Sequence, residues 1–150
     1  MIVSRQVEWD MGHRVMNHHS KCRNVHGHRY KLEAFLSGEL VTKEADSSEG
    51  MVIDFGDVKS VLLEHVHDVL DHGFLVWEKD LMMMNFFKKN PDMKHIVVPF
   101  TSTAENLAAW IFKNLESQFN NLYGKNLRLE EIYLWETPTS KVVCKRGDIK

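Results

Sequence analysis

The chain has 150 residues, a length that supports one hydrophobic core and would leave two domains undersized, so we expect residues 1–150 to form a single domain. Hydrophobic residues make up 43% of the sequence and charged residues 27%, as in ordinary globular proteins. The formal net charge of -2 gives no electrostatic basis for binding nucleic acid or an anionic membrane, which favours a small-molecule ligand or a protein partner.

The apolar runs of the chain are short. Runs such as "MVI" and "IVV" fall far below the roughly 20 residues that a membrane-spanning helix needs. The first ten residues, "MIVSRQVEWD", lack the apolar block of a signal peptide. We therefore expect a cytoplasmic protein, in which Cys22 and Cys144 stay reduced rather than forming a disulfide.

Two segments near the N-terminus alternate between apolar and polar residues, which is the pattern of a strand with one buried face. In residues 5–13, one face carries Val7, Trp9, Met11 and His13. In residues 26–40, one face carries His26, His28, Tyr30, Leu32, Ala34 and Leu36. The sequence therefore predicts that His26 and His28 project from the same side of one strand, and that His13 points in the same direction as Trp9.

The apolar spacing changes to three and four residues after a polar, turn-rich segment, residues 42–50. This spacing predicts a helix that starts at Asp54 and ends near Asp71 and His72. Either Asp54 or Asp57 is available as its N-terminal cap.

A second helix is predicted over residues 102–119, where Ser102 and Glu105 match a capping box. Its apolar stripe consists of Leu107, Ile111, Leu115 and Phe119. Between the two helices, residues 74–100 resist assignment, and "LMMMNFFKKNPDM" suggests only a short helix there.

The last part of the chain predicts two strands, "NLRLEEIYLWE" and "SKVVCKR", joined by the turn "TPTS". The order of elements is therefore strand, strand, helix, loop, helix, strand, strand. This order predicts an α+β fold in which an antiparallel sheet carries two helices on one face.

Three histidines on the two N-terminal strands suggest a metal site. The imidazoles of His26 and His28 converge because they are two residues apart on a strand, and His13 on the neighbouring strand adds a third. Zinc bound by three histidines keeps a fourth position for water or substrate, whereas Cys22 as a fourth ligand would make the site saturated and structural. Spacing alone does not decide between these arrangements, or against three independent polar histidines at a sheet end.

Two acidic positions are further candidates for chemistry. Asp71 can raise the basicity of the adjacent His72 imidazole and hold its tautomer, although such a pair at a helix end is more often a cap and a surface pair. Glu136 follows the apolar "IYLW" near a strand end, where a carboxylate is costly to desolvate unless it meets a cation or paired donors. The alternative for Glu136 is that the strand has simply emerged into water.

Six segments occur in order along nearly the whole chain: "MGHRV", "CRNVHGHRY", "GMVIDFGDVK", "LDHGFLV", "STAENLAAWI" and "WETPTS". Together they resemble the 6-pyruvoyl-tetrahydropterin synthase and 6-carboxy-tetrahydropterin synthase family, and six motifs in sequence are highly specific. The spacing of Cys22 and His26 in "CRNVHGH" resembles the 6-carboxy branch, whose product feeds the synthesis of 7-deazapurines such as queuosine.

The resemblance implies a role for each candidate residue. The zinc ligands would be His13, His26 and His28; the proton-abstracting thiolate would be Cys22, with Asp71 and His72 as its catalytic partners; Glu136 would anchor the pterin. The implied substrate is 7,8-dihydroneopterin triphosphate. The 6-carboxy branch converts it to 6-carboxy-5,6,7,8-tetrahydropterin with release of triphosphate and acetaldehyde.

The resemblance also implies a tunnelling fold, in which trimers close their sheets into an antiparallel barrel and two trimers stack into a hexamer with active sites between subunits. Two alternatives stay open: the 6-pyruvoyl enzyme, and a non-catalytic, zinc-stabilised pterin-binding protein in which Cys22 is the fourth ligand. The chain departs from the family pattern after "LDH", where Leu75 and Val76 precede no asparagine, and the stretch through "LMMMNFFKKNPDMKH" is longer than expected.

Overall fold

The computed structural model describes residues 1–123 and 126–149. Its strands are β1 (Ile2–His13), β2 (His26–Gly38), β3 (Gly73–Trp77), β4 (His95–Val98), β5 (Leu127–Thr137) and β6 (Ser140–Lys145). Its α-helices are α1 (Phe55–Leu62), α2 (Asp68–Leu70), α3 (Leu81–Lys89) and α4 (Ala104–Tyr123). A π-helical turn, Leu63–His67, joins α1 to α2, and 3-10 turns lie at Lys21–Arg23 and Arg146–Asp148.

Within the described residues, six strands form one sheet in the order β4-β3-β1-β2-β5-β6. β1 is antiparallel to β2, β2 to β5, and β5 to β6, as the sequence predicts. β3 and β4 lie in the stretch that carries no clear sequence pattern, and here β3 runs parallel to β1 and β4 parallel to β3. The sheet is therefore mixed rather than purely antiparallel, within the predicted α+β class.

The predicted alternation of the first two strands is confirmed. The buried face consists of Val7, Trp9, Met11 and His13 on β1, and Tyr30, Leu32, Ala34 and Leu36 on β2. In the register of the pair, His13 lies opposite His26, and Met11 lies opposite His28. The three histidines therefore meet at the same end of this strand pair.

Two helices contribute most of the apolar cover on that face. α1 buries Val58, Val61 and Leu62, but the π-helical turn Leu63–His67 interrupts the single helix predicted from Asp54 to Asp71. α4 buries Leu107, Ile111, Leu115 and Phe119, which confirms the stripe predicted for the second helix. Asp54 caps α1, because its carboxylate accepts a hydrogen bond from the amide of Gly56 at 2.6 Å. Neither these helices nor any other in the described part of the chain is long and apolar enough to cross a membrane.

The capping box predicted for Ser102 and Glu105 is wrong. α4 begins at Ala104, and the hydroxyl of Thr103 accepts a hydrogen bond from the amide of Asn106 at 3.4 Å. The hydroxyl of Ser102 instead donates to the backbone oxygen of Arg14 at 2.7 Å. The Ser102 hydroxyl therefore makes a tertiary hydrogen bond instead of the helix-capping hydrogen bond that the local pattern predicts.

The opposite face of the sheet carries an aromatic cluster on β2 and β5. The ring centroids of Phe35 and Tyr133 are 4.6 Å apart, and those of Tyr133 and Trp135 are 5.9 Å apart. Nζ of Lys31 lies 4.0 Å from the centroid of Trp135, within the range of a cation-π contact. All of these aromatic side chains are half-buried, so this face is partly open to solvent in the single chain.

Candidate metal centre and active site

Three imidazoles meet where β1 ends and β2 begins. His13, His26 and His28 each offer a ring nitrogen, and these nitrogens all lie within 4.8 Å of one another. Among the described residues this group does not include Cys22. The spacing and the strand parity seen in the sequence therefore bring together the predicted three ligands.

Backbone carbonyls orient two of the three rings. Nδ1 of His13 donates to the oxygen of Ser102 at 2.8 Å, and Nδ1 of His26 donates to the oxygen of Asn24 at 2.7 Å. Because a carbonyl only accepts, each Nδ1 carries a proton, and in the neutral form of each ring the lone pair is on Nε2. Burial lowers the pKa of His13, which favours its neutral form. These features fit a borderline-soft metal such as zinc.

Glu136 lies beside this group. Its Oε1 is 3.5 Å from Nε2 of His13 and 3.4 Å from the hydroxyl oxygen of Tyr30. Burial first, and then the Glu136 carboxylate, raises the pKa of Tyr30, so this hydroxyl stays protonated and donates. Glu136 also lines a cleft of about 350 Å³, shared with His28 and Trp135. The strand end therefore holds its carboxylate at a cavity rather than in open water.

Asp71 and His72 form a hydrogen-bonded pair at the end of α2. Nδ1 of His72 donates to Oδ2 of Asp71 at 2.7 Å, while Oδ1 of Asp71 accepts from the amide of Asp10 at 3.0 Å. The Asp10 amide, followed by His72, holds the pKa of Asp71 below its ordinary value, so the carboxylate stays ionised. The amide of His72 donates to the oxygen of Asp10 at 2.8 Å, which ties the pair to β1 twice.

The backbone of His72 is in the left-handed region, with φ at 55°. A residue other than glycine adopts this conformation at a cost, and the surrounding structure must enforce it. Here the enforcing contacts are the hydrogen bonds to Asp10. The result is an imidazole that is held next to β1 and is 79% exposed.

One cleft brings the two groups of residues together. His28 and His72 both line an open cavity of about 480 Å³, whose floor includes Gly12 and Gly27. A Cβ at Gly12 would lie 2.7 Å from the ring of Phe74, and one at Gly27 would lie 3.0 Å from the oxygen of Met11. Glycine at these positions therefore keeps the strands close and the cleft open.

Cys22 lies in the 3-10 turn Lys21–Arg23, between β1 and β2. It is half-buried, and both cysteines are free, as predicted. Its backbone oxygen accepts a hydrogen bond from the amide of Val15 at 2.8 Å, which fastens the turn to the residues that follow β1. The assignment of Cys22 as a base stays a prediction.

Sequence reasoning missed an apolar groove of about 680 Å³ that adjoins His72. Its walls include Phe74 from β3, Phe86 and Phe87 from α3, and Met93. The only signal in the sequence was the run of methionine and phenylalanine in "LMMMNFF", which by itself indicates adaptable packing.

Comparison with known proteins gives consistent results along the chain. The family model for 6-pyruvoyl tetrahydropterin synthase matches residues 2–147. A 6-carboxy-5,6,7,8-tetrahydropterin synthase of Haemophilus influenzae is 36% identical over 141 residues, which cover 92% of this chain and 94% of that protein. A protein of the same name from Rickettsia felis is 32% identical, with coverage of 90% of this chain and 93% of its own.

Solved structures share the fold. The 6-pyruvoyl tetrahydropterin synthase of Caenorhabditis elegans aligns with a TM-score of 0.68 and 26% identity, covering 97% of this chain and 94% of that one. An uncharacterized protein from Wolinella succinogenes aligns with a TM-score of 0.73 and 23% identity, covering 97% and 99%. The α+β fold is thus the tunnelling fold that the sequence resemblance implies. The chain belongs to the 6-pyruvoyl tetrahydropterin synthase family and is an enzyme with a pterin synthase role.

Proposed function

We propose that the chain is a zinc-dependent lyase of the 6-carboxy-tetrahydropterin synthase type. It would convert 7,8-dihydroneopterin triphosphate and one water molecule to 6-carboxy-5,6,7,8-tetrahydropterin, triphosphate and acetaldehyde, as a step toward queuosine and related 7-deazapurines. The observation that carries the proposal is the group of three histidines, with ring nitrogens within 4.8 Å and two rings oriented by backbone carbonyls. The names of the relatives from Haemophilus influenzae and Rickettsia felis support the 6-carboxy product.

The proposed metal is zinc, which His13, His26 and His28 would hold through ring nitrogens. For His13 and His26 the available atom would be Nε2, because Nδ1 of each donates to a backbone carbonyl. When bound, zinc supplies a Lewis acid that makes protons beside the hydroxyls of the substrate easier to remove. The buried, neutral His13 suits this task, because a protonated imidazole has no lone pair to offer.

The proton-transfer roles fall to the Cys22 thiolate and to the Asp71–His72 pair. Ionised Asp71 holds the proton on Nδ1 of His72, so that Nε2 is the atom free to exchange a proton. His28 and His72 line the same cleft, which supports an exchange of protons beside the proposed metal. Cys22 would remove the substrate proton, and His72 would return one.

Glu136 would bind the pterin ring. The edge of a pterin presents an amino group and a ring N–H side by side, and a single carboxylate can accept hydrogen bonds from both. The position of Glu136 supports this role, because its carboxylate lies at a cleft and within 3.5 Å of Nε2 of His13.

Replacing Glu136 with glutamine is expected to raise KM for the pterin substrate about ten- to a hundredfold, the size of a lost charged hydrogen bond. The zinc content should not change. The control is Glu131→Gln, which alters a carboxylate of the same strand that lies 4.0 Å from Nζ of Lys145. Steady-state kinetics with both variants would measure the effect, and an unchanged KM in Glu136→Gln would remove Glu136 from the pterin site.

Product identification tests the function as a whole. The purified protein would be incubated with 7,8-dihydroneopterin triphosphate, and acetaldehyde would be measured by coupled reduction with alcohol dehydrogenase. Acetaldehyde in equal amount to triphosphate supports the 6-carboxy reaction. Triphosphate without acetaldehyde indicates the second candidate, the 6-pyruvoyl reaction, which the name of the Caenorhabditis elegans structure favours. If the protein forms neither triphosphate nor acetaldehyde, the remaining candidate is the non-catalytic, zinc-stabilised pterin-binding protein.

We also propose that the enzyme is a homohexamer, a dimer of trimers. β4 and β6 are the outer strands of the sheet within the described residues, and pairing between such edges of three copies would close a barrel. The half-buried aromatic face on β2 and β5 would then be covered in the assembly. Native mass spectrometry should give six times the 17.5 kDa of one chain, and a monomer at micromolar concentration would contradict the assembly.

A further inference from the structure

A buried ion pair lies outside the groups that the proposed reaction uses. Nε of Arg14 donates to Oδ2 of Asp80 at 2.6 Å, and Nη2 donates to Oδ1 at 2.9 Å, so the guanidinium and the carboxylate form a two-point fork. The side chain of Asp80 is 3% exposed and that of Arg14 is 15% exposed. Asp80 belongs to the stretch without a clear sequence pattern, and Arg14 directly follows His13.

Asp80 is also fixed by the helix that follows it. Its Oδ1 accepts a hydrogen bond from the amide of Met83 at 3.2 Å, so the carboxylate caps α3. Taking both charges out of water costs free energy, and apolar residues of similar size often replace a buried ion pair without loss of stability. The fixed geometry of this pair therefore suggests a role other than stability.

Arg14 extends from this pair to the turn that carries Cys22. Its Nη1 donates to the backbone oxygen of Arg23 at 3.4 Å, a long hydrogen bond. The amide of Val15 donates to the backbone oxygen of Cys22 at 2.8 Å. Two consecutive carbonyls of the turn Lys21–Arg23 are thus held by two consecutive residues after β1.

The backbone of Arg14 is connected to a proposed metal ligand as well. The hydroxyl of Ser102 donates to the oxygen of Arg14 at 2.7 Å, and Nδ1 of His13 donates to the oxygen of Ser102 at 2.8 Å. Ser102 is 2% exposed, so these hydrogen bonds are shielded from water. A continuous set of hydrogen bonds therefore leads from Asp80 through Arg14 to both the Cys22 turn and His13.

From this network we infer that Arg14 and Asp80 are positioning residues, which hold the turn of Cys22 in a fixed place relative to the three histidines. The inference rests on the proposed function, because it matters for turnover only if Cys22 is the base. The segment between β3 and β4 would then have a role in the site, because it contains Asp80, the carboxylate that orients Arg14.

The first test is the variant Arg14→Lys, which keeps the charge but loses the planar fork. We expect kcat to fall about ten- to a hundredfold with KM nearly unchanged, because a displacement of a reacting group by about 1 Å has effects of this order. We also expect iodoacetamide to modify Cys22 severalfold faster, since the released turn exposes its half-buried thiol.

Cys144 provides an internal reference for the alkylation, which mass spectrometry follows peptide by peptide. It is buried on β6, so general unfolding would speed the modification of both cysteines, whereas release of the turn speeds that of Cys22 alone. The matched control is Arg146→Lys, because Arg146 likewise binds a carboxylate, that of Glu116 at 2.5 Å, and a backbone oxygen, that of Leu129 at 2.8 Å. This control should behave as the wild type does.

A second variant, Arg14→Met with Asp80→Leu, replaces the pair by apolar side chains of similar size and removes the unpaired charge that a single change leaves. It should fold, turn over as slowly as Arg14→Lys and expose Cys22 in the same way. The inference would be overturned if both variants turned over at the wild-type rate and their Cys22 was alkylated at the wild-type rate. It would also be overturned if both variants failed to fold, because the ion pair would then be purely structural. If the wild type forms neither product, the proposed function fails, and the alkylation rates still decide whether the pair holds the turn.

Discussion

Replacing Cys22 with alanine is expected to slow turnover about 10²- to 10⁴-fold while the protein keeps its zinc and its fold, because the loss of a general base has effects of this size. The nitrogens of the three histidines lie within 4.8 Å of one another without the thiol, and backbone carbonyls orient His13 and His26. The substitution therefore removes a proton acceptor but none of the proposed ligands. Turnover, metal analysis by plasma mass spectrometry and circular dichroism would measure the three quantities.

The other cysteine provides the control for this experiment. Cys144 is buried on β6, and burial raises the pKa of its thiol, which makes it a poor proton acceptor. Cys144→Ala should lose some stability and retain turnover. Loss of zinc together with turnover in Cys22→Ala, but not in Cys144→Ala, would favour the alternative in which Cys22 is the fourth ligand and the site is structural.

Replacing His26 with alanine is expected to remove both zinc and turnover. It leaves two imidazoles where three would hold the metal, and changes even in residues that merely support ligands cost about 10- to 100-fold in affinity. We expect the affinity for zinc to fall by at least this much. His26 is half-buried and lies at the start of β2, so the sheet should form without its side chain. Competition with a chromogenic chelator would give the zinc affinity.

His19→Ala is the matched control, because His19 is an exposed histidine of the same N-terminal region and lies outside the group of three. It should keep the wild-type affinity and turnover. Retained stoichiometric zinc in His26→Ala would show that the metal is held elsewhere, and the proposed centre would have to be abandoned.

The part of the site on β1 and β2 was predictable because it depends on a local period. Alternation places Trp9 and His13 on one face, and His26 and His28 on one face of the next strand, without knowledge of the rest of the chain. The antiparallel pairing of β1 with β2 then brings those faces together. Helix α4 and the start of the first helical segment, α1, were predictable for the same reason, since their apolar residues recur every three or four positions.

The stretch between Gly73 and Val98 was not predictable from periodicity. β3 has five residues and β4 has four, which is too short to reveal a period. Leu75 and Val76 are adjacent in β3 and both are buried, so the strand does not alternate. Its pairing with β1 is parallel and joins residues some 60 positions apart, which no local pattern records.

The contacts that orient the site were missed for a related reason. Arg14 and Asp80 are 66 positions apart, and His13 and Ser102 are 89 positions apart. Ser102 even carries a strong local signal for a helix cap, yet its hydroxyl and its carbonyl are both used by residues from the end of β1. Residue types at a site can thus be read locally, whereas the hydrogen bonds that fix their tautomers and positions depend on the complete fold.

The π-helical turn Leu63–His67 affects the direction in which the side chain of Asp71 leaves the helix axis. A π turn holds more residues than an α turn, so five residues wound this way rotate roughly a quarter turn less about the axis than regular winding would. Asp71 follows shortly after and reaches the amide of Asp10. The direction of the Asp71 carboxylate about the helix axis therefore depends on the number of residues in this turn. Inserting or deleting one residue there would rotate that direction by about 100°.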